Sequence, residues 1–437
     1  MNSMKRLVYT LTVFLLLCSP ITLYSVSAGP SFTLPSSPSP EIIEMINQVN
    51  ESLANSYLTS LVAFGPRYTG TENCTRAGQY LYDTFAALDI PVEFQSWTEK
   101  GFTSRNIIGT LRGNDTRSNA TFIISGHYDT VVGAPGADDD GSGAAAVVAI
   151  ASVLRQYSFK YTIRFIAFSG EEVGSYGSYA YARDAYRRGD NIVAVLNLDM
   201  IGYANTTEGG NVLRFFYPER SQWIADTAHD IVETYHQYLN MSIEKLPNYI
   251  GADHSAFIDY GYDGVWIAHP DGYPYGHSPN DTADHLNFTY YAKATRLALT
   301  VLAEYARTPL TLQVILTEPQ EGYLYVSGTP LVQTDLGRAW YLGLRGATFL
   351  VGKNTARADV ISNESIRYVI FCIDGNFQFG WPTTPPYENP ILGIHYPLIG
   401  KHTLKVMAYT LSGDVATDEM DIHIFMLSSQ FKKQRAH

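Results

Sequence analysis

Four stretches constrain the fold most: "NIIGTL" (106–111), "TFIISG" (121–126), "TIRFIAF" (162–168) and "NIVAVLNLD" (191–199). Each is a short apolar run without the every-second-residue polar alternation of a half-exposed strand. Helical segments separate the later ones, "GSGAAAVVAIASVLRQYS" (141–158) and "GSYGSYAYARDAYRR" (174–188). Strands that read as continuous hydrophobic runs between helices are covered on both faces. The expected fold class is therefore α/β, a mostly parallel mixed sheet flanked by helices.

The flanks extend this reading. "PEIIEMINQVNESLANSYLTSLVAF" carries apolar residues at helical spacing, "TRAGQYLYDTFAALD" reads as a second helix, and "NFTYYAKATRLALTVLAEYART" closes the region with Asn287 as N-cap. The α/β region is thus placed at 41–308. From about residue 312 helical periodicity stops. "LQVILTEP", "IRYVIFCIDG", "HTLKVMAYT" and "EMDIHIFML" are strands punctuated by Gly, Pro and Asn, so 312–427 is expected to form an all-β sandwich. It is similar to the Ig-like modules appended to secreted enzymes. A spacing or stabilising role is the plainer expectation for it.

The two ends read as accessories. Residues 1–28 join a positive "MNSMKR" to an apolar "LVYTLTVFLLLC" and end in small residues, the pattern of a signal peptide cleaved after Ala28. Residues 29–40 are Pro/Ser-rich and read as a flexible spacer, and 428–437 is a short basic tail. No other run is apolar enough to span a bilayer, so no stable membrane insertion is expected after processing and the localisation is extracellular. Nine Asn-x-Ser/Thr sequons, at Asn50, Asn73, Asn114, Asn119, Asn205, Asn240, Asn280, Asn287 and Asn363, suit a glycosylated exterior. A net charge of −12 without a basic stripe argues against nucleic acid as a partner. Cys18 leaves with the leader. Cys74 and Cys372 are too few for a cysteine metal site, and whether they pair stays open.

The chemistry is read from polar residues at strand ends. His127 follows "TFIISG", Glu172 is the second glutamate of "FSGEE" after the next strand, and Asp199 ends "AVLNLD". Ligands gather beyond the carboxyl ends of strands in an open α/β sheet, so these side chains share one edge. "ADDDGSG" then sets three carboxylates before a Gly/Ala-rich helix start. The helix dipole supplies only about half a positive charge there. One or two divalent cations would complete the balance. In "FSGEEVGSYGS" two adjacent glutamates cannot easily face the same way, so one can ligate metal while the other faces substrate. His277 lies in the Gly/Pro loop "YPYGHSPNDTADHLN". Two imidazoles and three carboxylates, one of them shared, would give each of two ions three protein ligands.

Five motifs in order, "GHYDT", "GADDDGSG", "FSGEEVGSYGS", "LNLDMIGY" and "HSPNDT", make residues 41–308 resemble the secreted dizinc aminopeptidase family. That family includes bacterial leucyl aminopeptidases, aminopeptidase Y and the glutamate carboxypeptidase II type. The resemblance implies the zinc exopeptidase fold and two Zn2+ per chain. It assigns Asp139 as the shared ligand, His127 and Asp199 to one zinc, and Glu172 and His277 to the other. Glu171 becomes the general base. Asp129 would accept the second ring N–H of His127, and Tyr249, four residues before "DHSAF", would polarise the substrate carbonyl. Asp253 and Asp281 are read either as outer supports of the ligands or as caps. The implied activity is a metallo-aminopeptidase acting on peptides. A carboxypeptidase of the same family is the alternative, and a single-zinc glutaminyl cyclase or an inactive ectodomain stands further off. The absence of a G-x-S-x-G elbow, a P-loop and G-x-G-x-x-G disfavours serine-hydrolase and nucleotide chemistry.

Overall fold

The computed structural model describes residues 29–116, 118–247, 251–334, 347–375, 377–380, 382–391 and 398–426. The expected leader at 1–28, the tail at 428–437 and Tyr249 lie outside the described residues. The first strand in the chain, β1 (Ser31–Phe32), belongs to the C-terminal half. The next eight strands make one sheet: β2 (Val92–Glu99), β3 (Phe102–Leu111), β4 (Thr121–His127), β5 (Thr162–Phe168), β6 (Ile192–Leu198), β7 (Val212–Tyr217), β8 (Ser242–Pro247) and β9 (Gly264–Ala268). Their spatial order is β2-β3-β5-β4-β6-β9-β7-β8.

The apolar runs behave as their composition requires. Every residue of β4 and of β6 is buried. Successive side chains point to opposite faces of a strand. Phe122 and Ile124 of β4 accordingly join the core under the helices Gly143–Leu154 and Phe288–Arg307, while Ile123 joins Ile166, Phe168, Tyr181 and Phe257 on the other face. The sheet is mixed: β4 pairs parallel with β5 and β6, β6 with β9, and β7 with β8, whereas β2/β3, β3/β5 and β7/β9 are antiparallel. The chain runs from β4 to β5 on one side and returns to β6 on the other. That reversal opens a crevice at the carboxyl end of β4, the usual ligand position in such sheets.

Two local readings change. The helical pattern over 40–64 is two helices, Pro40–Gln48 and Glu51–Val62, because the Asn50 side chain accepts the Leu53 amide and starts a new helix. Residues 29–32 are part of the fold and not a free spacer. Ser31 and Phe32 pair with the first strand of the β half, Gly29 bridges to Thr417, and the Phe32 ring stacks on Trp223 at 5.7 Å and contacts Phe122 and Tyr305. Asn287 caps the closing helix as expected, accepting the Tyr290 amide.

That helix ends at Arg307 and the β half begins three residues later. One sheet of it contains β1, β10 (Leu310–Glu318), β14 (Asn354–Ser362) and β17 (Tyr387–Ile391). The other contains β11 (Tyr323–Val326), β12 (Thr329–Gln333), β13 (Thr348–Val351), β15 (Ile366–Ile373), β16 (Phe377–Gly380), β18 (Leu398–Thr410) and β19 (Val415–Met426). Leu312, Ala356 and Ile391 from the first sheet share one core with Phe371, Val406 and Ile422 from the second. Cys74 and Cys372 are both buried and both free. Among the described residues no helix is long and apolar enough to cross a membrane.

Candidate metal centre

The three aspartates after β4 do three different things. Residues 137–142 form an irregular turn with non-helical backbone at Asp139 and Asp140, so the three side chains diverge. Asp140 points back into the protein, where its carboxylate accepts the amides of His127 (3.0 Å), Gly143 (2.7 Å) and Met200 (3.2 Å). It thereby ties the ends of β4 and β6 to the start of the Gly143–Leu154 helix. Asp138 accepts the Gly202 amide at 2.8 Å and lies 2.8 Å from His269 Nε2. Only Asp139 is left to face the crevice. Glycine is required on both sides of this joint. A Cβ on Gly126 would stand 2.7 Å from the Ala144 nitrogen, and one on Gly143 would stand 2.3 Å from the Leu198 oxygen.

Asp139 presents one oxygen to each of two histidines. Oδ1 is 3.3 Å from His127 Nε2, and Oδ2 is 3.0 Å from His277 Nε2. Asp199 Oδ1 lies 3.8 Å from His127 Nε2, and Glu172 Oε2 lies 3.1 Å from His277 Nε2. The chain thus assembles two groups of three donors, His127–Asp139–Asp199 and Asp139–Glu172–His277, each able to hold a metal ion. Ligand bonds of 2.0–2.2 Å around a tetrahedral centre set donor atoms about 3.3–3.6 Å apart, the range these pairs straddle. Glu172 Oε1 is buried and has no hydrogen-bond partner among the described residues, an unmet bonding need that a cation would satisfy.

The adjacent glutamates do separate. Glu172 turns to His277, while Glu171 Oε2 stands 4.0 Å from His127 Nε2 and Glu171 Oε1 accepts from Ser175 Oγ at 3.5 Å. Asp129 directs this split in a way its sequence position did not suggest. The nearest acceptor for His127 Nδ1 is the Asp129 main-chain oxygen at 3.1 Å, and its carboxylate is 3.7 Å away, too far to bond. That carboxylate instead accepts the amides of Glu171 (3.2 Å) and Glu172 (3.3 Å) and the Thr69 hydroxyl (2.7 Å). It is held there by the turn after β4, which Arg67 braces from beneath through bonds to the Tyr128, Pro135 and Gly136 carbonyls.

Crowded carboxylates in a buried cleft shift one another. Burial raises Asp139, but hydrogen bonds from His127 and His277 outweigh it and hold the group well below the usual carboxylate range. Burial, with Asp129 and Asp139 adding their charge, raises Glu171, and it pushes Glu172 up to about 8. Asp199 is raised by burial and then by Asp140 and Asp139. Such an excess of desolvated negative charge marks a functional cleft.

Sequence reading left Asp253 open between support and cap and missed other supporting residues. Asp253 does not cap the His254–Asp259 helix. It is fully buried, neither oxygen has a hydrogen-bond partner among the described residues, and burial followed by the Glu171 charge raises it to about 8. His269 and Thr69 carried no motif signal, because their partners lie 131 and 60 residues away in the chain, and Tyr273, only eight residues before its partner Asp281, was one tyrosine among many. Asp138 and Asp140 had a signal in the aspartate run itself, but their inward direction depends on the irregular turn.

Comparison with known proteins adds to this geometry. Residues 106–302 match peptidase family M28. A probable zinc metalloprotease of Pyrenophora tritici-repentis is 30% identical over 204 residues, 40% of this chain, and the chain spans 42% of that relative's length. Leucine aminopeptidase 1 of Coccidioides posadasii is 26% identical over 296 residues, covering 61% of this chain and 74% of the relative. Among solved structures, LapB from Legionella pneumophila superposes with a TM-score of 0.56 at 23% identity, over 63% of this chain and 78% of that one. BSAP, a zinc aminopeptidase from Bacillus subtilis, gives 0.53 at 18% identity, over 59% and 96%. At these identities the structural likeness speaks to the fold.

Proposed function

We propose, from the match of residues 106–302 to peptidase family M28, that the chain is a secreted aminopeptidase that holds two zinc ions and removes N-terminal residues from peptides. The observation that carries this reading is the pair of three-donor groups joined through Asp139, with a free carboxylate, Glu171, beside them. Imidazole and carboxylate suit zinc, and the donor spacings and the orphaned Glu172 oxygen fit it. His127, Asp139 and Asp199 would hold one ion and Asp139, Glu172 and His277 the other.

When bound, zinc supplies Lewis acidity to the scissile carbonyl and acidifies water. The rest is the work of this chain. Glu171, raised by its surroundings, accepts a proton from the attacking water and returns it to the leaving amine. Asp129 keeps Glu171 and Glu172 apart by holding both amides. Tyr249 is the expected donor to the developing oxyanion, on its spacing from Asp253 alone. A cleft with this many carboxylates attracts a free N-terminal ammonium more readily than a C-terminal carboxylate, which favours aminopeptidase over carboxypeptidase. Eight of the nine sequon asparagines are exposed, Asn73 being half-buried, which supports export and N-glycosylation.

A panel of free-amine, N-blocked and C-blocked dipeptides, with zinc content measured in parallel, tests the reading. Free-amine and C-blocked substrates are cleaved, N-blocked ones are not, and chelation abolishes the activity until zinc is returned. Cleavage of N-blocked but not free-amine substrates would reverse the preference to carboxypeptidase. One zinc per chain with cyclisation of N-terminal glutamine would replace it with the cyclase alternative.

A further inference from the structure

The two donor groups are built to different standards. His127 and Asp199 sit at the ends of neighbouring central strands, and the Asp199 amide and carbonyl are bonded to Ile267 O and Trp266 Nε1. His277 instead lies in a loop with left-handed backbone, φ 54°, and its side chain is 62% exposed. Its own side chain has no hydrogen bond within the loop among the described residues.

One buried side chain makes that connection. Asp281, fully buried and four residues after His277, spans to the turn that carries Asp139. Its Oδ1 accepts the Asp138 amide at 2.9 Å and the Tyr273 hydroxyl at 2.6 Å, and its Oδ2 accepts the Asp139 amide at 3.2 Å. Its main-chain oxygen accepts the Ala137 amide at 3.2 Å, and its own amide donates to Ser278 O. The 137–139 amides open an irregular turn and have no acceptors one helical turn back, so Asp281 supplies what the turn lacks. The same residue therefore sets the height of Asp139 and the position of the loop bearing His277.

We propose that Asp281, supported by Tyr273, is a positioning residue for the Asp139–Glu172–His277 group, and that this group, which alone depends on the loop of His277, loses its ion more readily than the other when Asp281 is changed. This rests on the two-zinc reading above. Asp281 belongs to neither donor group. It acts through backbone amides, and partners of this kind typically govern metal affinity by about 10–100-fold.

The test is a competition titration of the full chain with zinc against a chromophoric chelator, with thermal unfolding recorded alongside. Wild type shows two bound ions. In Asp281→Asn one oxygen can still accept, but the other position becomes an NH2 facing an amide N–H. The weaker ion is expected to loosen by about 10–100-fold, with the tighter one unchanged within about threefold. Two tight ions in a folded D281N protein overturn the proposal, and so does an equal loss at both sites. If D281N does not fold, Tyr273→Phe, which removes one donor to Oδ1, is expected to weaken the same single ion by a smaller factor, and an unchanged affinity overturns the proposal. A wild-type chain that binds fewer than two ions defeats the two-zinc reading itself, whereas two ions in wild type and variant alike defeats only the role of Asp281.

Discussion

At the scale of single residues, the cleft separates holding from reacting. Glu172 and Glu171 are neighbours in sequence, yet one faces His277 and the other His127, because Asp129 fixes both amides. Glu171→Gln keeps the size and removes the proton acceptor. Its expected outcome is unchanged zinc content and a kcat lower by about 10²–10⁴-fold, the usual share of a general base. Parallel metal analysis and steady-state kinetics check it, and a near-normal kcat would place the base elsewhere. His127, Glu172, Asp199 and His277 stand out in the chain itself, as imidazoles and carboxylates at strand ends and in a Gly/Pro loop, whereas the choice of Asp139 among three aspartates came only from the family resemblance. The direction of Asp140, bonded to three amides, could not be read, because nothing in "DDD" says which aspartate faces inward.

At the scale of elements, buried strands were legible and edge strands were not. β4, β5 and β6 announce themselves by unbroken apolar runs, whereas β2 has only one fully buried residue and the pattern of β8 is mostly exposed or half-buried. β1 illustrates the limit further. Two residues in a Pro/Ser-rich stretch have no periodicity to read, and Phe32 gains its place from partners on three distant elements. Because that ring packs into the α/β core while its backbone pairs with β10, it joins the two halves. Phe32→Ala is expected to cost about 2 kcal/mol, toward the middle of the range for a large apolar side chain that is only partly buried. Chemical denaturation monitored by tryptophan fluorescence measures it, and a loss under about 0.5 kcal/mol, the scatter of ordinary surface changes, would show that the strand is ornamental.

At the scale of the whole molecule, the junction between the halves is electrostatic as well as apolar. Arg220 bonds Asp263 Oδ1 at 2.8 Å within the α/β half and faces Glu321 at 3.6 Å and Asp418 at 3.5 Å from the β half. These four residues also line a cavity of about 420 Å³ that contains none of the five candidate ligands. Burial raises Glu321 from 4.5 to about 8 against the pull of Arg220, and raises Asp418 to about 6. A carboxyl whose folded pKa exceeds its unfolded value holds its proton more tightly when folded. Its contribution is complete below about pH 4.5 and is lost as pH rises through about 8. Thermal stability is therefore expected to fall between about pH 4.5 and pH 8, and Glu321→Gln, which cannot titrate, should flatten that fall. An identical slope in wild type and E321Q, followed by calorimetry, would remove Glu321 as its source.

The chain's own pattern settles the covered sheet, the helices on its faces and the change to strands near residue 310, and it narrows the side chains that could take a metal to a few imidazoles and carboxylates. These follow from local chemistry: apolar runs must be buried, and carboxylates at strand ends need a counter-charge. Folding alone decides where Asp138 and Asp140 turn inward, that Asp129 serves two amides and not a histidine ring, and that Asp281 braces the loop of His277. Each of these depends on hydrogen bonds between segments dozens of residues or more apart. No periodicity records such bonds, because their geometry exists only once the crevice at the end of β4 has closed around them.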